Sequence, residues 1–194
     1  MTIYMENICK SYNGTKILND FNARIEWDTC YGIVGPHECG KTTILKIFIG
    51  EEAFDSGAIH KMGDYKYPTL RSAYVPQLTR LVFKKNAIKN VKKAYHRAGK
   101  SSAISELALF LPEDKLTIPV GELSPVEQRF VEIVCALFVP ADFIVLDDPF
   151  CGMNKEERQK ALNYILEKRG SRPLIIASCN ESDLDFVDKT IRLT

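Results

Sequence analysis

The chain has 194 residues, 45% hydrophobic and 26% charged, with 26 Lys or Arg against 25 Asp or Glu for a formal charge of +1. That composition supports a buried core, excludes a disordered chain, and gives no global field directed at nucleic acid or membrane. The start, Met1-Thr2-Ile3-Tyr4-Met5-Glu6, lacks the basic and apolar regions of a secretory signal. The most apolar stretch, Phe130 to Leu146, is broken by Glu132, Pro140 and Asp142, so no membrane span is expected. Six cysteines without a Cys-x-x-Cys pair argue against zinc and for reduced thiols.

The first third reads as strands. Phe21, Ala23, Ile25 and Trp27 alternate with polar residues, as a half-buried antiparallel strand does. Tyr31 to Val34 is a short apolar run ending at Gly35, and Thr42 to Ile49 reads as a helix stopped by Gly50. Arg71 to Val75 is a further strand. From Asn86 to Ala98 the period turns helical, with Ile88, Val91 and Tyr95 on one face and Lys85, Lys89, Lys92, Lys93 and Arg97 on the other. Pro112 and Pro119 bound a loop before a helix from Pro125 to Phe138. Phe143 to Leu146 is the fully apolar run of a buried parallel strand. A helix from Asn154 to Arg169, a buried strand from Leu174 to Ala177 and a short strand at Ile191 to Leu193 complete the chain. This order predicts an α/β protein whose middle helices form an inserted lobe.

Gly35-Pro36-His37-Glu38-Cys39-Gly40-Lys41-Thr42 fits G-x-x-x-x-G-K-[S/T], between an apolar strand and a helix. Glycines let backbone N–H groups close around phosphate oxygens, and the helix N-terminus adds a favourable dipole. The residues from Gly35 to Thr43 are therefore the expected nucleotide cradle, with Lys41 on the β- and γ-phosphates and Thr42 on Mg²⁺. Glu38 places a carboxylate inside that loop, harmless only if it points outward.

From about Ile3 to Ile191 the motif order resembles an ABC-type ATPase, the nucleotide-binding subunit of ATP-driven transporters. The resemblance rests on Tyr12 before Asn13-Gly14, Asp55-Ser56-Gly57-Ala58-Ile59, Tyr74-Val75-Pro76-Gln77, Leu123-Ser124 and Phe143 to Asp148. It implies a P-loop NTPase core with an N-terminal antiparallel β subdomain and an inserted helical lobe. The whole would be one nucleotide-binding domain, with core residues 1–77 and 139–194 and lobe residues 78–138. It also implies that Tyr12 stacks on adenine and that Gln77 touches Mg²⁺ and the attacking water. Asp147 would complete the metal shell, Asp148 would act on the water, and Ser124 would meet nucleotide.

The chain departs from that family in four places. Asp148 stands for a Glu one methylene longer, and Cys179 for a histidine, where a thiol is a weak donor and packing is the simpler role. Leu123-Ser124-Pro125-Val126-Glu127 replaces Leu-Ser-Gly-Gly-Gln/Glu. It doubles as a capping box with proline at the first helical position. Asn154 stands for an acid and is a ready helix cap. The resemblance implies an ATP-binding and ATP-hydrolysing transporter subunit using ATP and Mg²⁺, with slow hydrolysis. Its partners would be a transmembrane permease and a second nucleotide-binding subunit, identical or different. It would be cytoplasmic and peripheral on the inner face of the cell membrane, with no nucleic acid. The alternative is a non-enzymatic or regulatory ATP-binding subunit. The basic stretch from Arg80 to Lys100 reads as a solvated face, or as a contact for an acidic partner loop or lipid headgroups.

Overall fold

The structure is a computed structural model, and it describes residues 2–62 and 71–193. In chain order the elements begin with β1 (Thr2–Tyr12), β2 (Thr15–Glu26), β3 (Cys30–Val34), α1 (Lys41–Ile49), β4 (Ser56–Met62) and β5 (Ser72–Val75). Then come α2 (Ala87–Ala94), α3 (Lys100–Leu107), α4 (Pro125–Leu137), β6 (Phe143–Asp147), α5 (Lys155–Arg169), β7 (Leu174–Ser178) and β8 (Lys189–Arg192). The chain divides into two units, one of Met1–Ser72, Asp142–Asp148 and Ser171–Thr194, the other of Ala73–Ala141 and Pro149–Gly170.

In the first unit, β6, β7, β3 and β8 lie side by side in that order, all parallel. Every residue of β3, β6 and β7 is buried, as strands covered on both faces must be. Helix α1 buries Ile44, Leu45 and Ile47, and Phe48 meets Phe143 of β6 edge-on at 5.4 Å. Gly50 ends it in the left-handed conformation at φ 78°, its N–H returning to the carbonyls of Lys46 and Ile47.

The same unit carries an antiparallel sheet in the order β2-β1-β4. Tyr12 pairs with Thr15 across Asn13-Gly14, both at positive φ (50° and 82°), a tight hairpin turn. In β1 the buried positions run Ile3, Met5, then Ile8 and Lys10, because a register shift between Met5 and Ile8 moves the inward face by one residue. Asn7 takes φ 51° at that bulge. Gly57 of β4 faces it at φ 112°, where a Cβ would sit 2.6 Å from the Glu6 and Asn7 carbonyl oxygens.

The second unit is mainly helical. Phe110 stacks on Phe130 of α4 at 4.6 Å and meets Tyr164 of α5 edge-on at 5.1 Å. Burial pushes the Tyr164 hydroxyl well above its ordinary range and the Cys135 thiol up to about 12. The basic helix is shorter than its periodicity predicts. It stops at Ala94, where Tyr95 turns extended (φ −138°) while still bonding to the Val91 carbonyl. Tyr95 and Ala98 continue the apolar spacing from a turn, and a separate helix, α3, follows. Helix α3 buries only Ala103 and Leu107 and has no side-chain cap, so its sequence carries little signal.

Candidate functional site

The parallel strands deliver the site from their C-terminal ends, the usual crevice of an open α/β sheet. The loop 35–40 follows β3, Asp147 ends β6, and Cys179 follows β7. Packing accounts for both loop glycines. A Cβ on Gly35 would lie 2.7 Å from Cys39 Sγ and 2.8 Å from the Leu193 carbonyl oxygen. Gly40 caps α1 at φ 98°, and a Cβ there would lie 2.9 Å from Leu18.

Lys41 is buried and folded back along the loop. Its Nζ donates to the carbonyl oxygens of Gly35 at 2.8 Å and Pro36 at 2.6 Å. An anionic phosphate oxygen is a stronger partner for an ammonium than a neutral carbonyl, so these bonds exchange readily for ones to phosphate. Thr42 Oγ1 donates to Asp147 Oδ2 at 2.7 Å, and Asp147 is fully buried. A hydroxyl and a carboxylate held together are hard oxygen donors of the kind Mg²⁺ takes. The donor set and the glycine loop fit a magnesium nucleotide.

Glu38 is exposed and sits at φ 63°, a left-handed conformation that glycine adopts freely and glutamate does not. Pro36 and His37 are exposed, while Cys39 and Thr43 are half-buried. Asp148, at φ 46°, donates its N–H to the Ala177 carbonyl at 2.9 Å. Its Oδ1 accepts the Cys179 N–H at 3.3 Å. Cys179 Sγ lies 3.6 Å from His37 Nδ1, so the residue after β7 touches both the phosphate loop and Asp148. Tyr12 is exposed at the hairpin turn, with Lys10 Nζ 5.0 Å from its ring centroid. Lys10 pairs with Glu52 at 2.9 Å and lies 3.7 Å from Asp55. The bond to Glu52 raises the Lys10 pKa and its counterpart lowers that of Glu52.

Gln77 and Ser124 belong to the second unit. Gln77 is exposed, and its loop is held by residues that motif reading missed. Arg129 of α4, itself buried, donates to the Pro76 carbonyl at 2.6 Å and the Gln77 carbonyl at 3.2 Å. It also pairs with Glu132 at 3.0 Å, and Glu132 Oε1 accepts the Arg80 N–H at 2.8 Å. Two charges three residues apart, set among the apolar Phe130, Val131 and Ile133, were the available signal. Ser124 Oγ accepts the Glu127 N–H at 3.3 Å while Glu127 Oε2 accepts the Ser124 N–H at 2.9 Å, a full capping box with Pro125 at the first helical position. Asn154 makes the equivalent box with Glu157.

A sequence model described as ABC transporter matches residues 18–151. The spermidine/putrescine import ATP-binding protein PotA of Fusobacterium nucleatum is 32% identical over 173 residues, covering 82% of this chain and 45% of that protein. The ATP-binding protein Uup of Escherichia coli is 28% identical over 193 residues, covering 96% of this chain and 29% of that protein. The chain thus spans less than half the length of these relatives. Among solved structures, a dimeric ATP-binding cassette in a post-hydrolysis state bound to ADP and Pi superposes with a TM-score of 0.86 at 19% identity. That match covers 99% of this chain and 94% of the other, and it shows a shared fold. With a matching phosphate loop, metal-type donor pair and fold, the chain belongs to the ABC transporter family.

Proposed function

We propose that this chain is the ATP-binding and ATP-hydrolysing subunit of an ABC transporter, driving transport through a separate transmembrane permease. The observation that carries the reading is the Thr42–Asp147 hydrogen bond of 2.7 Å, which joins the phosphate loop to a fully buried carboxylate. Members of the family are ATPases. Lys41 exchanges its loop carbonyls for the β- and γ-phosphates, and the loop N–H groups hold the phosphate oxygens. Tyr12 stacks on the adenine. Thr42, Asp147 and Gln77 are the proposed Mg²⁺ ligands, and the ion when bound neutralises charge on the phosphates. Asp148 orients the attacking water and accepts its proton at a carboxylate oxygen.

A second nucleotide-binding subunit, identical or different, completes each site with Ser124. The dimeric, ADP- and Pi-bound relative supports this arrangement. Hydrolysis is slow on this proposal. Asp148 is short, Cys179 offers only a thiol, and Pro125 removes an N–H at the helix start that Ser124 opens. The protein sits on the cytoplasmic face of the membrane as a peripheral subunit. Among the described residues no helix is long and apolar enough to cross a bilayer.

Those same substitutions favour a second reading, a regulatory subunit that closes on ATP without useful turnover. Steady-state phosphate release with Mg-ATP, against a Lys41→Ala background, tests the first. Turnover that Asp148→Asn abolishes, with ATP binding retained, upholds it. Silence in the presence of the permease and second subunit, with ATP bound, replaces it with the regulatory reading.

A further inference from the structure

Between Arg80 and Lys100 the chain carries eight Lys or Arg and no acid. The remainder holds 18 basic against 25 acidic residues, a net charge of −7 inside a nearly neutral protein. The charge is therefore segregated, and the segment that holds it lies entirely in the second unit.

This segment is rigidly backed. Asn90, buried inside α2, accepts the Val82 N–H at 2.8 Å. Its amide donates to the carbonyls of Val82, Lys85 and Asn86 at 3.1–3.3 Å. From the other side, the Val120 and Gly121 N–H groups donate to the Lys85 and Phe83 carbonyls at 2.9 and 3.1 Å. The loop 82–86 is thereby clamped onto α2, whose inner face buries Ala87, Ile88 and Val91. Lys84 and Lys85 on the loop, and Lys89, Lys92 and Lys93 on the helix, are all exposed. Arg97 and Lys100 extend the same basic run, and none of these seven forms an ion pair among the described residues. Lys89 and Lys93 stand four residues apart on α2, so they repel. An anionic partner removes that penalty. Apolar side chains flank the cations: Leu78 is 82% exposed and Phe83 48%.

We propose that this face binds the surface of a bilayer containing anionic lipid. Basic side chains bordered by exposed apolar ones suit the headgroup layer, where cations meet phosphates and apolar groups leave water. A planar anionic surface meets these exposed cations together, and its interfacial layer takes up the apolar side chains beside them. An RNA backbone offers phosphates but no apolar layer for Leu78 and Phe83, which disfavours RNA. The proposal is independent of nucleotide hydrolysis and of any permease.

The test is flotation of the purified full chain with vesicles that contain no protein, either phosphatidylcholine alone or phosphatidylcholine with phosphatidylglycerol. Binding is expected only to the anionic vesicles, and it should be lost in high salt as the charges are screened. The exposed triple variant Lys89→Gln/Lys92→Gln/Lys93→Gln is expected to bind about 100-fold less, roughly fivefold per cation. Equal neutralisation at Lys16, Lys61 and Lys155 leaves binding unchanged, and melting curves confirm that both variants fold. No binding by the wild type, or equal binding by the Lys89/Lys92/Lys93 variant, overturns the proposal. Binding to a single-stranded RNA homopolymer without binding to vesicles replaces it with a nucleic-acid surface.

Discussion

Replacing Glu38 separates two effects that coincide at one position of the phosphate loop. Glu38 is exposed and sits at φ 63°. A left-handed L-residue costs roughly 1–2 kcal/mol. Glu38→Gly removes that strain, while glycine's extra freedom in the unfolded chain takes back about 0.4–1 kcal/mol. The expected gain is about 0.5–1 kcal/mol, a rise in Tm of about 1–4 °C for a chain of this size. Glu38→Gln keeps the Cβ and the strain but removes the charge, so its Tm stays put. A carboxylate a few ångströms from a phosphate in water repels it by about 1 kcal/mol, or about fivefold in affinity. Both variants should therefore bind ATP about fivefold more tightly in calorimetry, while only the glycine variant melts later in scanning fluorimetry. A lower Tm for Glu38→Gly refutes the strain argument. An unchanged affinity for Glu38→Gln shows that the carboxylate points away from the ligand.

Arg129→Ala removes the two bonds that hold the Gln77 loop and strands Glu132 without its buried partner. Loss of about 3–5 kcal/mol is expected in urea unfolding, with most of it recovered in Arg129→Met/Glu132→Leu. Gly57→Ala forces a Cβ to within 2.6 Å of two carbonyl oxygens at φ 112°, and a loss of about 2–3 kcal/mol follows by the same assay. At Glu127, burial pushes the carboxyl pKa up, but Lys115 at 2.5 Å and the Ser124 bonds outweigh it and hold the pKa below the ordinary carboxylate range. Stability from that group is complete above the ordinary carboxylate range and is lost as pH falls through the folded pKa. Glu127→Gln should thus be less stable than wild type at neutral pH, with the gap closing on acidification in pH-resolved melts.

The parts of the fold legible in the sequence are those in which one residue's environment repeats along an element. The buried runs at Tyr31 to Val34, Phe143 to Leu146 and Leu174 to Ala177 are strands because both faces are covered, so every position is apolar. Strand β1 is harder to read. Its bulge at Asn7 shifts the inward face from Ile3 and Met5 to Ile8, which destroys the period of two. Strand β4 is exposed along most of its length, so no apolar alternation marks it. The apolar spacing of Ile88, Val91 and Tyr95 continues past the true end of α2, because Tyr95 packs from a turn as well as a helix would pack it. The phosphate loop is legible because its residue types fall in one contiguous run between a strand and a helix, although two of the contacts that hold its glycines, with Leu193 and Leu18, come from elsewhere in the chain. Contacts made across the sequence, such as His37 with Cys179, leave no local trace.

That last contact follows from strand order. With β7 between β3 and β6, the residue after β7 emerges between the phosphate loop and the end of β6. Position 179 therefore reaches both neighbours whatever its side chain. The backbone N–H meets Asp148, a bond any residue but proline can make, while the side chain meets the loop at His37. The sheet supplies the placement and the side chain alone supplies the chemistry. The features we assign to nucleotide retention, the loop backbone and the Thr42–Asp147 bond, are intact in geometry. Those we assign to turnover, at 148 and 179, keep their places in the fold and change only their side chains, a carboxylate one methylene shorter at 148 and a thiol for an imidazole at 179. A change of that kind lowers rate more than binding, which is why our proposal joins firm ATP binding to slow hydrolysis.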